Sequence, residues 1–239
     1  MMKSRHFSYQ HPTFGTQSKP RASAFWMRSV YYWWFEYLRR NEDYKKACLN
    51  KGKGKLRKLY GDFGNVFNVD FKKWWMTAER GAVLFSEPLV KDTFEVINLL
   101  KLKKTANTDV LYIKVPLNLP KRFLTAKFHA LLKKLHRGAR GVRSARQSYA
   151  KYKVIGQPNI IALKKMLEVY DYHSENPNLT LWQIGRDLNV SISNNPLKTD
   201  SSKIAYDKRD RLASTVSRYL RKAKRMIENT SKGRFPDIK

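Results

Sequence analysis

Arg137, Arg140, Arg143 and Arg146 recur at intervals of three in the run Lys133-Lys-Leu-His-Arg-Gly-Ala-Arg-Gly-Val-Arg-Ser-Ala-Arg146. Guanidinium groups stay charged at any physiological pH and take phosphate oxygens bidentately. On a helix, a spacing of three sets them along one slowly drifting stripe, suited to following a single strand of phosphates. The run lies inside a longer one. Between Asp109 and Glu168 the chain has 58 residues with 14 Lys or Arg and no carboxylate. Protein surfaces normally mix both signs, because like charges held close repel. A one-sign stretch this long points to a partner that brings the negative charge. A polyphosphate backbone is the commonest such partner, and each neutralised phosphate releases condensed counterions. The cations read as phosphate-binding here are Lys121, Arg122, Lys127, Lys133, Lys134, the four arginines, Lys151 and Lys153.

A second constellation lies near the C-terminus. Leu212, Val216, Tyr219, Leu220, Ala223 and Ile227 keep helical spacing, and the opposite side carries Arg211, Ser214, Arg218, Arg221, Lys222 and Arg225. Arg takes guanine bidentately, and Ser or Thr takes either base type. Lys208, Arg209, Arg211, Ser214, Thr215 and Arg218 are therefore read as base-reading residues. Arg221, Lys222 and Arg225, further along, are read as phosphate contacts.

Catalytic chemistry has no comparable signal. The five histidines, at 6, 11, 129, 136 and 173, show no metal-ligand spacing. There is no Gly-x-Ser-x-Gly, no Walker loop and no His-Glu-x-x-His. Asp62, Asp70 and Glu79 share no spacing signature. A binding protein with no catalytic residue, no metal and no cofactor is expected; a nuclease built from scattered acids is the enzymatic alternative.

The whole chain supports a folded basic protein. It has 239 residues, a net charge of +30, a pI near 10.3, 42% apolar and 13% aromatic residues, so it is not a disordered basic tail. Charge by segment runs +5 (1–30), +6 (31–109), +14 (110–167), −3 (168–202) and +8 (203–239). The single cysteine, Cys48, allows no intramolecular disulfide and no cysteine-based zinc site. No secretory signal and no 18-residue apolar run occurs, so a cytoplasmic protein without a membrane partner is expected.

The elements that must hold these groups follow from periodicity. Residues 1–24 have none and read as a flexible basic arm. A helix is expected from Ala24 to Leu49, a short one over Leu56–Tyr60, a turn at Gly61–Gly64 and an aromatic helix over Asp70–Ala78. Ala82–Phe85, Thr93–Leu99 and Val110–Val115 read as strands. Lys121–Leu135 is an amphipathic helix after Pro120. Helices are expected from Pro158 to His173, over Leu181–Leu188 with Thr180 as N-cap, and over Tyr206–Ile227, with a loop at 189–203. The fold class is thus α+β, mainly α. Its parts are an arm (1–24), an aromatic α+β domain with a small β segment (25–136), a basic connector (137–157) and a helix-turn-helix-like DNA-binding domain (158–239). Tyr31–Arg40 and Phe71–Trp75 are either core or stacking platforms for single-stranded bases, with core favoured. Glu36, Glu42 and Asp43 beside Arg39 and Arg40 read as surface ion pairs.

The run Trp34-Phe-Glu-Tyr-Leu-Arg-Arg-Asn-Glu-Asp-Tyr44 resembles the signature of a transcriptional-regulator-like domain common in proteobacterial integrative and conjugative elements, with Glu42 in place of the usual proline. Tyr112-Ile-Lys-Val-Pro-Leu-Asn-Leu-Pro-Lys-Arg-Phe-Leu124 is similar to the strand-then-helix entry of related proteins, and Ser231-Lys-Gly-Arg-Phe-Pro236 to the end of their helical module. The resemblance implies DNA binding in a mobile-element or regulatory setting and carries no catalytic residue. The expectation is a sequence-specific DNA-binding protein that regulates transcription or mobile-element maintenance, with double-stranded DNA as favoured partner. The alternative is an RNA- or single-strand-binding subunit of a larger nucleoprotein complex. Paired half-sites would require a homodimer, and no heptad seam is present.

Overall fold

The computed structural model describes residues 7–88, 112–135 and 148–237. Where one helix was expected from Ala24 to Leu49, three occur: α1 (Ser23–Trp26), α2 (Val30–Leu38) and α3 (Glu42–Leu49). The breaks fall at helix-capping residues. The Ser29 side chain accepts from the Tyr31 N–H, and the Asn41 side chain accepts from the Tyr44 N–H at 2.8 Å. Such side chains satisfy the first free amides of a new helix and so favour restarting one. Asn41 is buried, and its amide also donates to the Ile227 carbonyl at 2.7 Å. Eight of the nine residues of α2 are buried, so its polar and apolar sides are both covered.

Helix α4 (Arg57–Phe63) runs through the expected turn at Gly61 and stops at Gly64, whose φ of +67° is left-handed. Helix α5 (Phe71–Met76) begins at Asp70, which accepts from the Lys73 N–H at 2.9 Å. Helix α6 (Ala82–Phe85) replaces the first expected strand. A four-residue apolar run has no period by which to tell helix from strand. Residues 112–115 form no strand either, and Thr93–Leu99 lies outside the described residues. Among the described residues there is no strand and no sheet, only isolated bridges such as Phe7 to Ser86 and Val154 to Phe235. The α+β expectation is therefore corrected to a helical fold.

Helix α7 (Lys121–Leu135) has the expected bounds and buries none of its side chains. The C-terminal part holds α8 (Ile160–Glu175), α9 (Leu181–Asp187), a 3-10 turn (Ile192–Asn194) and α10 (Ser202–Thr230). Helix α9 opens with a capping box, in which the Gln183 side chain accepts from the Thr180 N–H at 2.8 Å. The last helix is longer than expected at both ends: Ser201 caps it five residues before Tyr206, and it runs three residues past Ile227 to Thr230.

The principal core is aromatic. Trp34, Phe35, Tyr37, Phe63, Trp74 and Phe85 are fully buried, with ring centroids such as Phe35–Trp74 at 4.9 Å and Phe63–Tyr152 at 4.8 Å. Tyr31–Tyr37 and Phe71–Trp75 thus serve as core rather than as base-stacking platforms. The same core takes Leu163 and Leu167 from α8, Ala223, Met226 and Ile227 from α10, and Phe235 beyond it. It therefore draws residues from both sides of the expected connector at 137–157. A smaller cluster of Val169, Ile184, Val216 and Leu220 joins α8, α9 and α10. Residues 7–22 do not form a free arm: Phe7, Tyr9 and Phe14 pack against the principal core, and Ser8 donates to Glu87 at 2.7 Å. The expected surface ion pairs are also corrected. Glu36 is buried, and Arg40 donates both to Glu36 and, bidentately, to Asp171 of α8 at 3.1 and 2.8 Å. The family-like run 34–44 is thus occupied with core rings, a helix cap and an interhelix ion pair, all structural tasks.

Candidate nucleic-acid interface

Helix α10 buries Leu212, Val216, Leu220, Ala223 and Ile227, at intervals of four, four, three and four. With 3.6 residues per turn, that fixes which side faces outward. Arg211, Ser214, Arg218, Arg221 and Arg225 are all exposed on that side. From Arg211 to Ile227 the helix carries six cations and no carboxylate. They span about 21 Å from Arg211 to Arg225 at a rise of about 1.5 Å per residue.

The first turns of α10 are different. Residues 202–210 hold Lys203, Lys208 and Arg209 against Asp207 and Asp210. Lys208 is also engaged: its ammonium donates to both oxygens of Asp200 at 2.9 and 2.8 Å, with side chains only 19% and 10% exposed. The Lys208 charge holds the Asp200 carboxyl below its ordinary pKa, helped by the Leu197 N–H. Lys208, expected from the sequence to read bases, is thus paired within the protein. It latches the loop before α10 onto the helix, because that loop folds back beside the first turns. Thr215 is half-buried beside the core residue Val216. The positive centre of α10 therefore lies in its middle and C-terminal half.

Arg209 is exposed but not loose. Its guanidinium lies 4.8 Å from the Trp182 ring centroid, and Arg186 lies 5.3 Å from the same ring. The indole from α9 thus orders one arginine from each helix through cation–π contact. Trp182 and Arg186 are absent from the sequence-derived set, since no local spacing links them to Arg209. Lys224 was also missed, although the acid-free run 211–227 contains it. It lines, with His173, Arg221, Arg225 and Glu228, a groove of about 510 Å³ between α10, the end of α8 and the start of α9. Lys222 is half-buried at the edge of the basic face.

Three helices in the order α8, α9, α10 keep the helix-turn-helix sequence of elements. Gly185 of α9 faces α10 so closely that an added Cβ would lie 3.1 Å from a Val216 methyl and 3.3 Å from Leu212. The tight turn is absent: residues 188–201 separate α9 from α10, where the motif usually has three or four.

The other expected phosphate contacts are dispersed. Lys121, Arg122, Lys127, Lys133 and Lys134 are exposed on α7, which has no carboxylate. Arg137, Arg140, Arg143 and Arg146 lie outside the described residues. Lys151 pairs with Asp62 at 2.5 Å, and Lys153 is exposed. Among the described residues no group of His, Cys, Asp and Glu is arranged to hold a metal, and no helix is long and apolar enough to cross a membrane. No family model, no curated protein and no solved structure matches the chain.

Proposed function

We propose that the protein binds double-stranded DNA through the outward face of α10 and acts by binding rather than catalysis. The observation that carries this reading is the exposed, acid-free row on α10 that includes Arg211, Arg218, Arg221 and Arg225, backed by a helix fixed in two cores. An α-helix about 10–12 Å across fits the major groove, about 12 Å wide. In this reading Arg218, expected from the sequence to read bases, joins Arg221, Lys222, Lys224 and Arg225 in neutralising phosphates, because it lies in the positive centre of the helix. Arg211 and Ser214, exposed at the start of the row, read bases, and Arg209 is held ready by Trp182. The resemblance of residues 34–44 to regulators of mobile elements agrees with a role in transcription or mobile-element maintenance.

Selection of bound duplexes from a random pool, followed by competition with structured RNA, tests the reading. An enriched motif that Arg211→Gln weakens, with RNA a poor competitor, is the expected result. Preferential displacement by RNA would replace duplex DNA with RNA as the ligand. No enrichment, or enrichment unchanged in the Arg211 variant, would remove base reading from this helix.

A further inference from the structure

Three segments far apart in sequence meet at a second basic groove, of about 350 Å³. Lys55 lies in the turn just before α4, Lys58 in its first turn, Lys151 in the segment after residue 148, and Lys232 in the turn that follows α10. The one carboxylate bonded here, Asp62, already accepts from Lys151 at 2.5 Å and from the Tyr152 hydroxyl at 2.7 Å. Lys232 donates to the Asn229 side chain at 3.2 Å and keeps further donors. Lys55 and Lys58 are exposed, with no carboxylate partner among the described residues. The floor is fixed. Tyr152 packs on Phe63, its N–H donates to the Leu84 carbonyl at 3.0 Å, and Gly233 sits so close that a Cβ there would lie 2.9 Å from the tyrosine ring.

With Lys151 paired to Asp62, three ammonium groups are left without a carboxylate among the described residues, and an anion entering the groove relieves their mutual repulsion. The groove, of about 350 Å³, has room for a phosphodiester group. The groove lies just past the end of α10: Lys232 follows Thr230 by two residues and Arg225 by seven, with the exposed Glu228 between Arg225 and Lys232. We propose that this groove is a second phosphate-binding site, which takes phosphodiester groups of the nucleic acid held by α10. The inference rests on the duplex-binding reading and extends it to the aromatic half of the molecule. The nucleic acid is then gripped from both ends of the shared core.

Lysine acetylation of the full chain, read by mass spectrometry with and without a 30-base-pair duplex, tests it. Lys55, Lys58 and Lys232 should lose reactivity severalfold when duplex is bound, while Lys72 and Lys73, exposed on α5 and lining neither groove, should not. The Lys55→Gln/Lys58→Gln variant should flatten the slope of log affinity against log salt by about 2, at about 0.9 per phosphate. If Arg218→Gln/Arg221→Gln flattens the slope and the lysine variant does not, the groove is not a contact and the α10 reading stands. If the wild type binds no duplex, the reading itself fails and this inference with it. Protection by inorganic phosphate at matched ionic strength, with none by duplex, would overturn the proposal in favour of a small-anion site.

Discussion

Replacing Arg40 by methionine should destabilise the protein far more than loss of a surface ion pair would. The guanidinium donates to the Glu36 carbonyl at 2.9 Å, to the Glu36 carboxylate, and to both oxygens of Asp171. Side-chain exposure is 27% for Arg40, 11% for Glu36 and 33% for Asp171. Removing one partner of a fully buried pair costs about 3–5 kcal/mol, whereas exposed pairs contribute about 0–1 kcal/mol. The arginine is mostly covered, and Arg39 remains 3.3 Å from Glu36 as a substitute partner. Between these limits, about 2.5 kcal/mol is expected. In urea, with a slope of about 3 kcal/mol per molar, that lowers the midpoint by about 0.8 M. Methionine keeps the aliphatic stem, so lost packing is a minor part of the change. Neutralising all three groups, as Glu36→Gln/Arg40→Met/Asp171→Asn, should recover most of the loss, because no buried charge is then left unpaired. A midpoint shift below about 0.2 M for Arg40→Met, or a triple variant no better than the single one, would refute the argument that this network joins α2 to α8.

Trp182→Leu should weaken duplex binding by about two- to fivefold, the equivalent of one cation–π contact of about 0.5–1 kcal/mol. Combined with Arg209→Gln it should add little further, and full additivity in binding titrations would show that the stack does not order Arg209. The Asp200 carboxyl has a lowered pKa in the fold, so its contribution is present above its unfolded pKa and is lost as pH falls through the depressed folded value. Asp200→Asn should mimic that loss at neutral pH, with faster amide hydrogen exchange across 188–201 and little change in α8; unchanged exchange in that loop would remove the latch assigned to Lys208.

Elements with a sustained period were the most legible in the sequence. The apolar stripes of α7 and α10 and the Thr180 cap of α9 led to helices close to those found. Short runs misled: Ala82–Phe85 is too brief to show a period, and it folds as a helix after Gly81, whose φ is +55°. Ser29 and Asn41 are capping residues in plain view, yet a continuous aromatic stripe hid the breaks they make. The candidate site was half legible. Arg218, Arg221 and Arg225 follow from wheel position alone. The engagement of Lys208 by Asp200, the Trp182–Arg209 contact and the groove of Lys55, Lys58, Lys151 and Lys232 depend on where separate segments meet. Local spacing carries no trace of such meetings. Residues 7–22 teach the same lesson, since Phe7, Tyr9 and Phe14 lack any period and still pack on the core.

Duplex affinity measured from low to high salt, for wild type and for Arg218→Gln/Arg221→Gln/Lys224→Gln, tests the central claim most directly. If the five cations from Arg218 to Arg225 each meet a phosphate, they contribute about −4.5 to the slope of log affinity against log salt. The triple variant should then be shallower than wild type by about 2.7, with its thermal stability unchanged because all three side chains are exposed. Equal slopes for the two proteins would contradict the claim that the outer face of α10 grips the phosphate backbone.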